Sequence, residues 1–355
     1  MVFMRRFSIC KLMAKSDPKS SQSQISWVQR RLEKIWYKGG WGASVLLPLE
    51  GLYRLLAKAD QSSSKNKQIP HPLPIIVVGN ISVGGTGKTP LVIYLAEQLQ
   101  QAGYRPAIIT RGYAGDLQEW PVMVSPESDP SVCGDEPVLM AQRSGVPVIA
   151  GPDRNADVTF LLENTDCNIV ISDDGLQHYK LKRDIEIAVI DGARGLGNGH
   201  CLPAGPLREP AARLASCDFV IVNEVMANAD ISMQLQVSEL SHLNSGNQQP
   251  LSAWKGQTVH AVTGIGNPSR FFDTLRSEGL DVIEHYFPDH HPFSLSDIEF
   301  DDRFLVVMTE KDAVKCHSFA TDKHWCVPVT AKVSKAFIKD LLKRLGEMEF
   351  EHNKP

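Results

Sequence analysis

The sequence predicts an α/β protein built on a doubly wound, mostly parallel sheet with a second, smaller α/β domain. Short apolar runs alternate with helical patterns from about residue 70 onward, an arrangement that gives parallel strands covered by helices on both faces. Polar residues collect just after several of these runs, where open α/β sheets bind ligands. A polar stretch at 228–256 marks the predicted boundary, so the larger domain covers 70–250 and the smaller one 255–350.

The N-terminal part of the chain has a different composition. Residues 1–24 are basic and then polar, without the apolar run of a signal peptide, and are predicted to be a disordered extension. In residues 25–58, aromatic side chains and a leucine-rich run alternate with lysine and arginine, and Pro48 and Glu50 interrupt the run. It is too short to span a bilayer, so we predict an amphipathic helical segment at a membrane surface. The alternative is an ordinary amphipathic helix packed on the protein body.

Charge and cysteine content restrict the surroundings of the protein. Residues 1–58 contain 11 lysines and arginines against 3 acidic residues, a net charge of +8, whereas the 355-residue chain carries −4. A basic N-terminus suggests an anionic partner, either a membrane surface or a nucleic acid. The seven cysteines are odd in number and show no C-x-x-C spacing, which favours free thiols in a reducing compartment and no zinc site.

A glycine-rich loop organises the larger predicted domain. A polar linker is expected at 59–72, followed by a buried strand at 75–78, the loop, and leucines at helical spacing up to a C-cap at Gly103. Strand, glycine loop, Lys-Thr and helix together are typical of a phosphate-binding P-loop, although the strict pattern has glycine where this chain has Ser82. The predicted nucleotide-binding residues are Ser82, Val83, Gly84, Gly85, Thr86, Gly87, Lys88 and Thr89. We therefore expect a nucleoside triphosphate to bind here, with the Thr89 hydroxyl on Mg²⁺.

Further strands follow along the chain. They are predicted at 107–110, 146–150, 168–174, 185–191, 219–224, 259–263, 281–286 and 304–309, with a final helix at 335–345. The strand at 168–174 ends in Asp173 and Asp174, which could hold Mg²⁺; a turn or helix cap is the alternative. Gln177 and His178 follow within a turn and could contact the same site.

Several other polar groups are candidates for chemistry. Asp135 and Glu136 precede a helical pattern, where they could supply a general base; as the alternative, Glu136 caps the helix and proline follows as its first residue. The Asp289-His290-His291 string could bind a metal, for which no third ligand is evident, or supply a catalytic histidine. The predicted phosphate-loop surroundings also include Arg111, Arg208 and Glu209, for which solvation at the surface is the alternative.

Three classes of nucleotide-binding protein fit a loop of this kind. The partition and cell-division-site ATPases have a signature lysine where this chain has Val83, which counts against that class. A GTPase would have Asn-Lys-x-Asp, which 309–312 matches poorly. A kinase that acts on a membrane-embedded acceptor is the third class.

Taken together, the motifs resemble one family, tetraacyldisaccharide 4'-kinase, the lipid A kinase of Gram-negative bacteria. The resemblance runs from about Trp36 to the C-terminus and excludes residues 1–24. The motifs that carry it are 78–90, Arg111-Gly-Tyr113, Gly134-Asp-Glu-Pro137, Asp173-Asp-Gly-Leu-Gln-His178, Leu202-Pro-Ala-Gly-Pro-Leu-Arg-Glu209, Asp289-His290 and Met308-Thr-Glu-Lys-Asp-Ala313.

The resemblance implies transfer of the γ-phosphate of ATP, with Mg²⁺, to the 4'-hydroxyl of an acylated glucosamine disaccharide 1-phosphate, forming lipid IVA. It implies an active site between two α/β domains, with Asp135 as catalytic base and His290 from the second domain, and it leaves His291 open as the dyad histidine. It also implies that residues 25–58 associate with the cytoplasmic face of the inner membrane. No nucleic acid and no obligate protein partner are expected, and acyl-chain preference and oligomeric state stay open.

Overall fold

The described part of the protein, in a computed structural model, comprises residues 31–38, 42–112, 120–224 and 229–352. The predicted extension 1–24 and the first residues of the segment 25–58 lie outside these ranges. The strands are β1 (Ile75–Gly79), β2 (Pro106–Thr110), β3 (Val122–Val124), β4 (Val148–Ala150), β5 (Ile169–Asp173), β6 (Ile185–Asp191), β7 (Phe219–Asn223), β8 (Ile231–Gln236), β9 (Glu239–His242), β10 (Gln248–Pro250), β11 (Thr258–Thr263), β12 (Asp281–Tyr286), β13 (Leu305–Thr309), β14 (His324–Val327) and β15 (Thr330–Val333).

Helices connect most of these strands. They are α1 (31–38), α2 (Gly42–Lys65), α3 (Lys88–Gln101), α4 (Pro130–Cys133), α5 (Asp135–Ser144), α6 (Arg154–Asn164), α7 (Pro268–Ser277), α8 (Leu295–Ile298), α9 (Glu310–Cys316) and α10 (Lys335–His352). Short 3₁₀ turns occur at Ala211–Ser216, Leu251–Trp254 and His317–Phe319. The α/β fold class is confirmed, and the predicted strands coincide with observed ones to within two residues.

The first sheet has nine strands in the order β15-β8-β7-β6-β1-β5-β2-β4-β3. Its seven central strands are parallel, and the two edge strands, β3 and β15, are antiparallel to their neighbours. Val78 of β1 lies in register with Asp173 of β5. The glycine-rich loop after β1 and the aspartate pair after β5 therefore begin at the same level of the carboxyl edge.

Both faces of this sheet are covered by helices. In β1, Ile76 and Val78 pack into the cluster that contains leucines of α3 and α10, whereas Ile75 and Val77 pack towards Val158 of α6. A strand covered on both sides has no solvent-facing positions, which explains its continuous apolar sequence. Each such side chain contributes roughly 1.5–3 kcal/mol by leaving water.

The second sheet has six strands in the order β10-β9-β14-β13-β11-β12. Strands β11 to β14 are parallel, and β9 and β10 join antiparallel. Phe271, Phe272 and Leu275 of α7 cover one face, and Ile298 and Ala313 of α8 and α9 pack on the other.

The chain returns to the first sheet at its C-terminal end. Strand β15 pairs with β8, and Phe337 of α10 packs edge-on against Phe219 with ring centroids 5.1 Å apart. The predicted smaller domain, 255–350, is therefore wrong for its last strand and helix, while the second sheet begins earlier, at Glu239. Strand β15 was not among the predicted strands, and its short sequence, Thr330–Val333, carries no signal for the sheet to which it belongs.

Helix α2 extends beyond the predicted start of the linker at residue 59, as far as Lys65. Contacts with the body stabilise this extension although it is rich in serine: Ser64 is buried, Lys65 lies over the Tyr179 ring, and the Gln68 side chain donates a hydrogen bond to the Tyr179 carbonyl oxygen. Tertiary contact thus offsets weak helix propensity. Among the described residues, no helix is long and apolar enough to cross a membrane.

Candidate active site

The glycine-rich loop connects β1 to α3. Helix α3 begins at Lys88, directly after Gly87, whose φ of 87° is accessible mainly to glycine. A Cβ at this position would also lie 2.6 Å from Nδ2 of Asn223, which donates a hydrogen bond to the Thr86 carbonyl oxygen at 3.0 Å. Backbone conformation and close packing therefore both explain the glycine at 87.

The segment 202–209 supports the other side of this loop. The Val83 N–H donates to the Pro206 carbonyl oxygen at 2.9 Å, and Ser82 forms an antiparallel bridge with Leu207. The Arg208 N–H donates to the Ile81 carbonyl oxygen. The proline-rich 202–209 motif thus fixes the path of the glycine-rich loop.

The site has features that suit a polyphosphate and a metal ion. Gly84 and Gly85 are exposed, so their N–H groups can be approached. Seven buried side-chain polar atoms have no hydrogen-bond partner within the described structure, and three of them lie in the loop region or at the end of β5: Asn80 Oδ1, Thr86 Oγ1 and Asp173 Oδ1. Buried polar atoms normally have partners, so orphaned atoms grouped at a phosphate loop fit a bound ligand.

Lys88, Asp174 and Arg208 form one ionic cluster beside the loop. Lys88 Nζ lies 3.3 Å from Asp174 Oδ1, and Arg208 Nη1 lies 3.1 Å from Asp174 Oδ2. Burial alone would raise the pKa of Asp174, but these two cations lower it well below the usual range. Asp174 is the residue directly after β5 and adopts a positive φ of 47°. The structure therefore brings these three predicted residues together.

Asp173 is held differently from its neighbour. Its side chain is buried and accepts a hydrogen bond from Thr110 Oγ1 at 3.2 Å through Oδ2. Burial raises its pKa, and the charges of Glu136 and Asp174 add to that effect. The influence of Glu136 also shows that the start of α5 lies within electrostatic range of the aspartate pair.

Sequence reasoning missed Arg154, which is buried behind the aspartate pair. Its guanidinium donates to the Asp173 carbonyl oxygen at 3.0 Å and to the Gly151 carbonyl oxygen at 2.8 Å, and it pairs with Asp157 at 3.3 Å. A buried arginine has no signature in a single sequence, because its partners come from other segments.

Asp135 and His290 meet from opposite sheets. Asp135 is the first residue of α5, its Oδ1 accepts the Glu136 N–H at 2.9 Å, and His290 Nδ1 lies 3.1 Å from its Oδ2. The expected cap at Glu136 is wrong: Gly134, with φ 95°, occupies that position, so the helix starts two residues earlier. His291 instead lies near Asp297, at 3.4 Å.

The protonation of this pair follows from its surroundings. Burial favours neutral Asp135, but the hydrogen bond with His290 and the charge of Lys311 lower its pKa overall. Burial likewise disfavours protonated His290, yet the hydrogen bond with Asp135 raises its pKa. These contacts favour an ionised Asp135 carboxylate, whereas the Lys311 ammonium, 3.5 Å from His290 Nε2, opposes protonation of the imidazole.

Lysines of α9 complete this cluster. Lys311 Nζ lies 3.0 Å from Glu136 Oε1 and 3.4 Å from Asp289 Oδ1. Lys315 Nζ lies 3.7 Å from Asp135 Oδ2 and 2.9 Å from Asp312 Oδ1. The 308–313 motif indicates that this segment belongs to the site, but it does not show which lysine lies beside Asp135.

The buried Asp312 organises the start of α9. It accepts hydrogen bonds from the Thr309 hydroxyl at 2.6 Å, the Thr263 hydroxyl at 3.2 Å and the Gly264 N–H at 2.9 Å. These contacts fix the helix from which Lys311 and Lys315 extend.

The other predicted residues lie at the edges of the site. Glu209 accepts a hydrogen bond from Gln177 at 2.7 Å and another from the Tyr179 hydroxyl, so it connects two loops. His178 stays neutral, because burial and the charges of Arg154 and Arg111 lower its pKa to about 3. Arg111 itself is exposed after β2, and Thr89 is half-buried in the first turn of α3.

Known proteins resemble this chain over most of its length. A sequence model described as tetraacyldisaccharide-1-P 4'-kinase matches residues 42–346. Tetraacyldisaccharide 4'-kinase of Nitrosococcus oceani is 47% identical over 317 residues, covering 88% of this chain and 94% of that protein. The same enzyme of Hahella chejuensis is 45% identical over 334 residues, covering 91% and 98%.

A solved structure supports the same relationship. The crystal structure of LpxK from Aquifex aeolicus in complex with ATP superposes with a TM-score of 0.73 at 30% identity, covering 85% of this chain and 99% of that one. The family match, the long alignments and the shared fold agree with one another. The chain belongs to the tetraacyldisaccharide-1-P 4'-kinase family.

Proposed function

We propose that Asp135 and His290 form the acceptor half of a kinase site whose donor half is the loop 82–89. As a member of its family, the protein transfers the γ-phosphate of ATP to the 4'-hydroxyl of a tetraacyldisaccharide 1-phosphate, a step of lipid A biosynthesis. The observation that carries the residue assignment is the 3.1 Å contact between Asp135 and His290. This contact joins the first residue of α5, on the first sheet, to the loop after β12 of the second sheet.

The donor half binds the triphosphate. The N–H groups of the exposed loop and the N-terminus of α3 provide partial positive charge, and Lys88 provides a full charge for the β- and γ-phosphates. Lys88 pairs with Asp174, which also pairs with Arg208. If a phosphate takes Lys88, Asp174 stays paired with Arg208. Binding therefore does not leave the Asp174 carboxylate without a cation.

The acceptor half orients the hydroxyl. Asp135 is ionised at neutral pH because its pKa is lowered, so its carboxylate can accept a hydrogen bond from the hydroxyl and then its proton. His290 and the Glu136 N–H fix the orientation of the carboxylate. A group of lowered pKa is a weak base, so its main contribution is positioning, which suits a phosphoryl transfer with a loose transition state.

A divalent ion such as Mg²⁺ would be held by the Thr89 hydroxyl and the Asp173–Asp174 pair. The donor set fits a hard cation, because it consists of oxygen atoms and includes the buried Asp173 Oδ1 that has no other partner among described residues. The ion would neutralise charge on the β- and γ-phosphates. Five further residues would support these groups or contact the substrate: Gln177, His178, Arg111, Glu136 and Glu209.

The structure of α2 supports binding to a membrane surface. This helix buries a charged residue and exposes apolar ones. Glu50 accepts hydrogen bonds from the Cys201 N–H and lies 2.9 Å from His200 Nδ1, while the Tyr53 hydroxyl donates to the Arg208 carbonyl oxygen. The exposed apolar side chains are 41–67% accessible: Val45, Leu47, Leu49, Leu52, Leu55 and Leu56.

Such an apolar surface, beside basic residues, is what a helix at a lipid interface presents. We place the protein at the cytoplasmic face of the bacterial inner membrane, where this helix brings the cleft to a lipid acceptor. Arg54 and Lys58 of α2 are exposed and suited to anionic headgroups.

The assignment is tested by measuring phosphate transfer from γ-labelled ATP to the acylated disaccharide in mixed micelles. Label should appear in the lipid, and it should be lost with Lys88→Ala. ATP turnover that does not need the acceptor, or that DNA stimulates, would contradict the proposal and favour a switch ATPase.

A further inference from the structure

We infer that Arg194 is an additional phosphate-contacting residue, acting on the nucleotide from outside the glycine-rich loop, and that Tyr37 positions it. The inference rests on the proposed placement of ATP on residues 82–89. Nothing in the motif pattern of the sequence marks Arg194.

The guanidinium of Arg194 lies close to the phosphate loop. A Cβ added at Gly84 would lie 3.5 Å from Arg194 Nη1, the one described atom within 4 Å outside Gly84 and its two chain neighbours. Gly84 is an exposed residue of the loop, so a phosphate resting on the loop N–H groups would come within reach of Arg194. The strand that leads to Arg194 explains this proximity, since β6 lies directly beside β1 in the sheet.

Arg194 also differs in its charge pairing from the lysine and arginines around the aspartate pair. Lys88 and Arg208 are paired with Asp174, and Arg154 is paired with Asp157. Within the described residues, Arg194 has no carboxylate at ion-pair distance, although it is half-buried. A half-buried guanidinium without a counter-ion, next to a phosphate loop, is suited to an anionic ligand.

Arg194 is also held in place. The Asp191 carboxylate accepts hydrogen bonds from the Ala193 N–H at 3.0 Å and the Arg194 N–H at 3.1 Å, which fixes the turn after β6. The guanidinium lies over the Tyr37 ring, 5.4 Å from its centroid, and is hydrogen-bonded to the Tyr37 side chain. A guanidinium has five N–H donors, so the contact with Tyr37 leaves others for an anionic ligand.

Tyr37 is itself fixed by contacts of α1. The neighbouring Trp36 is buried, and its Nε1 donates to the Pro203 carbonyl oxygen at 3.0 Å. Pro206, three residues further, accepts from the Val83 N–H of the loop. The helical segment 31–38 is therefore connected to the phosphate loop in two ways. Trp36 contacts the segment that binds Val83, and Tyr37 contacts Arg194.

In P-loop enzymes, an arginine supplied from another segment stabilises the charge that develops on the transferred phosphate, and contributes about 10³–10⁵-fold to kcat. A group with that role acts mainly in the transition state. It should therefore affect kcat and the binding of a transition-state mimic far more than the binding of ADP.

The test compares Arg194→Ala, Arg194→Lys, Tyr37→Ala and Tyr37→Phe with the control Arg105→Ala, a partly exposed arginine that pairs with Asp166. For each variant, kcat, the KM for ATP, thermal unfolding, and the affinities for ADP and for ADP with Mg²⁺ and aluminium fluoride are measured. We expect Arg194→Ala to lower kcat by about 10³-fold, with ADP affinity changed less than about threefold and the extra affinity for the fluoride complex lost. Arg194→Lys should recover part of kcat, since it keeps the charge but not the planar fork.

Tyr37→Phe keeps the ring and should retain most of kcat, whereas Tyr37→Ala should lose much of it. A kcat for Arg194→Ala within about threefold of the unmodified protein, or equal losses of ADP and ADP–fluoride affinity, would overturn the inference. The placement of ATP is checked separately with Lys88→Ala: if that variant is inactive while Arg194→Ala is fully active, only the role of Arg194 fails. If Lys88→Ala is also active, the phosphate loop itself is wrongly assigned and both conclusions fall.

Discussion

Asp135 and His290 lie 155 positions apart in the chain, yet His290 Nδ1 approaches Asp135 Oδ2 to 3.1 Å. Asp135 begins α5, which packs on the first sheet, and His290 lies in the loop after β12 of the second sheet, so the pair exists only while the two sheets keep this arrangement. The strained backbone of His290, with φ 59°, is consistent with a residue held by its contacts rather than by local preference. The site is therefore complete only when the two sheets have this relative position.

The first prediction concerns this pair directly. Asp135→Ala should lower kcat by about 10²–10⁴-fold, because both the proton acceptor and the orienting contact are lost. The measurement is phosphate transfer to the lipid acceptor at saturating ATP. Asp166→Ala, which removes an exposed carboxylate far from the pair in sequence, serves as the control and should keep full activity.

His290→Ala and the double variant extend that experiment. If the two residues act as a unit, the combined loss should be much smaller than the product of the single losses. Simple multiplication of the two effects would mean that His290 does not act through Asp135.

The second prediction is a pH dependence of stability. The pKa of His290 is raised, so its contribution is fully present below the unfolded value of about 6.5 and is lost as pH rises through the folded value. The pKa of Asp135 is lowered, so its contribution is present above about 3.9 and lost as pH falls through the folded value. The pair should therefore stabilise most between roughly pH 4 and 6.5.

Urea unfolding of the unmodified protein and of His290→Gln at pH 6 and pH 9 checks this window. The difference between the two proteins in free energy of unfolding should be larger at pH 6. A difference that grows towards pH 9 would show that neutral, not protonated, His290 is the stabilising form.

The third prediction concerns the ion pair between Arg143 of α5 and Glu310 of α9, which bridges the two sheets near the dyad. Arg143→Ala should lower kcat/KM by about fivefold, equivalent to roughly 1 kcal/mol for a partly buried pair, because the facing arrangement becomes less populated. Glu310→Gln keeps the acceptor for the Val329 N–H and should show a similar loss. The double variant should lose little more than either single one.

Arg276→Ala provides the matched control. Arg276 pairs with Glu284 inside the second sheet and its helix, away from the interface between sheets. Equal losses of kcat/KM for Arg276→Ala and Arg143→Ala would show a general effect of charge rather than a specific ion pair between α5 and α9.

The sequence could predict those features that local patterning determines. β1 is predictable because a strand buried on both faces gives a continuous apolar run, and the phosphate loop because its glycines and lysine stand in one short segment. The motifs also include Asp135, Asp174, Arg208 and His290, which the structure brings together in two clusters. The pairing of β15 with β8 has no local signal, because it depends on contacts between distant segments.

The same reason explains the missed site residues. Arg154, Arg194 and Lys315 resemble ordinary surface cations in the sequence, and the motif that contains Lys311 does not show what this lysine contacts. Only their partners distinguish them, and these come from β5, the phosphate loop, and the start of α5. Residue chemistry was thus predictable where one segment carries it, and not where several segments share it.

The fourth prediction concerns the apolar surface of α2. Leu52 and Leu55 are 54% and 67% exposed, so replacing both with serine removes few internal contacts and should leave the thermal midpoint nearly unchanged. Binding to vesicles that contain anionic lipid should fall about 10-fold or more, since a fully buried leucine contributes roughly 1.5–3 kcal/mol. Affinity for ATP should not change, because neither side chain contacts the phosphate loop. Flotation of the protein with vesicles measures the effect, and the exposed Ser62→Ala and Ser63→Ala serve as controls for substitution elsewhere on the same helix. Unaltered flotation of the leucine variant would show that the leucines do not carry the binding. If that remaining flotation disappears in high salt, the binding is assigned to Arg54 and Lys58 instead of the leucines.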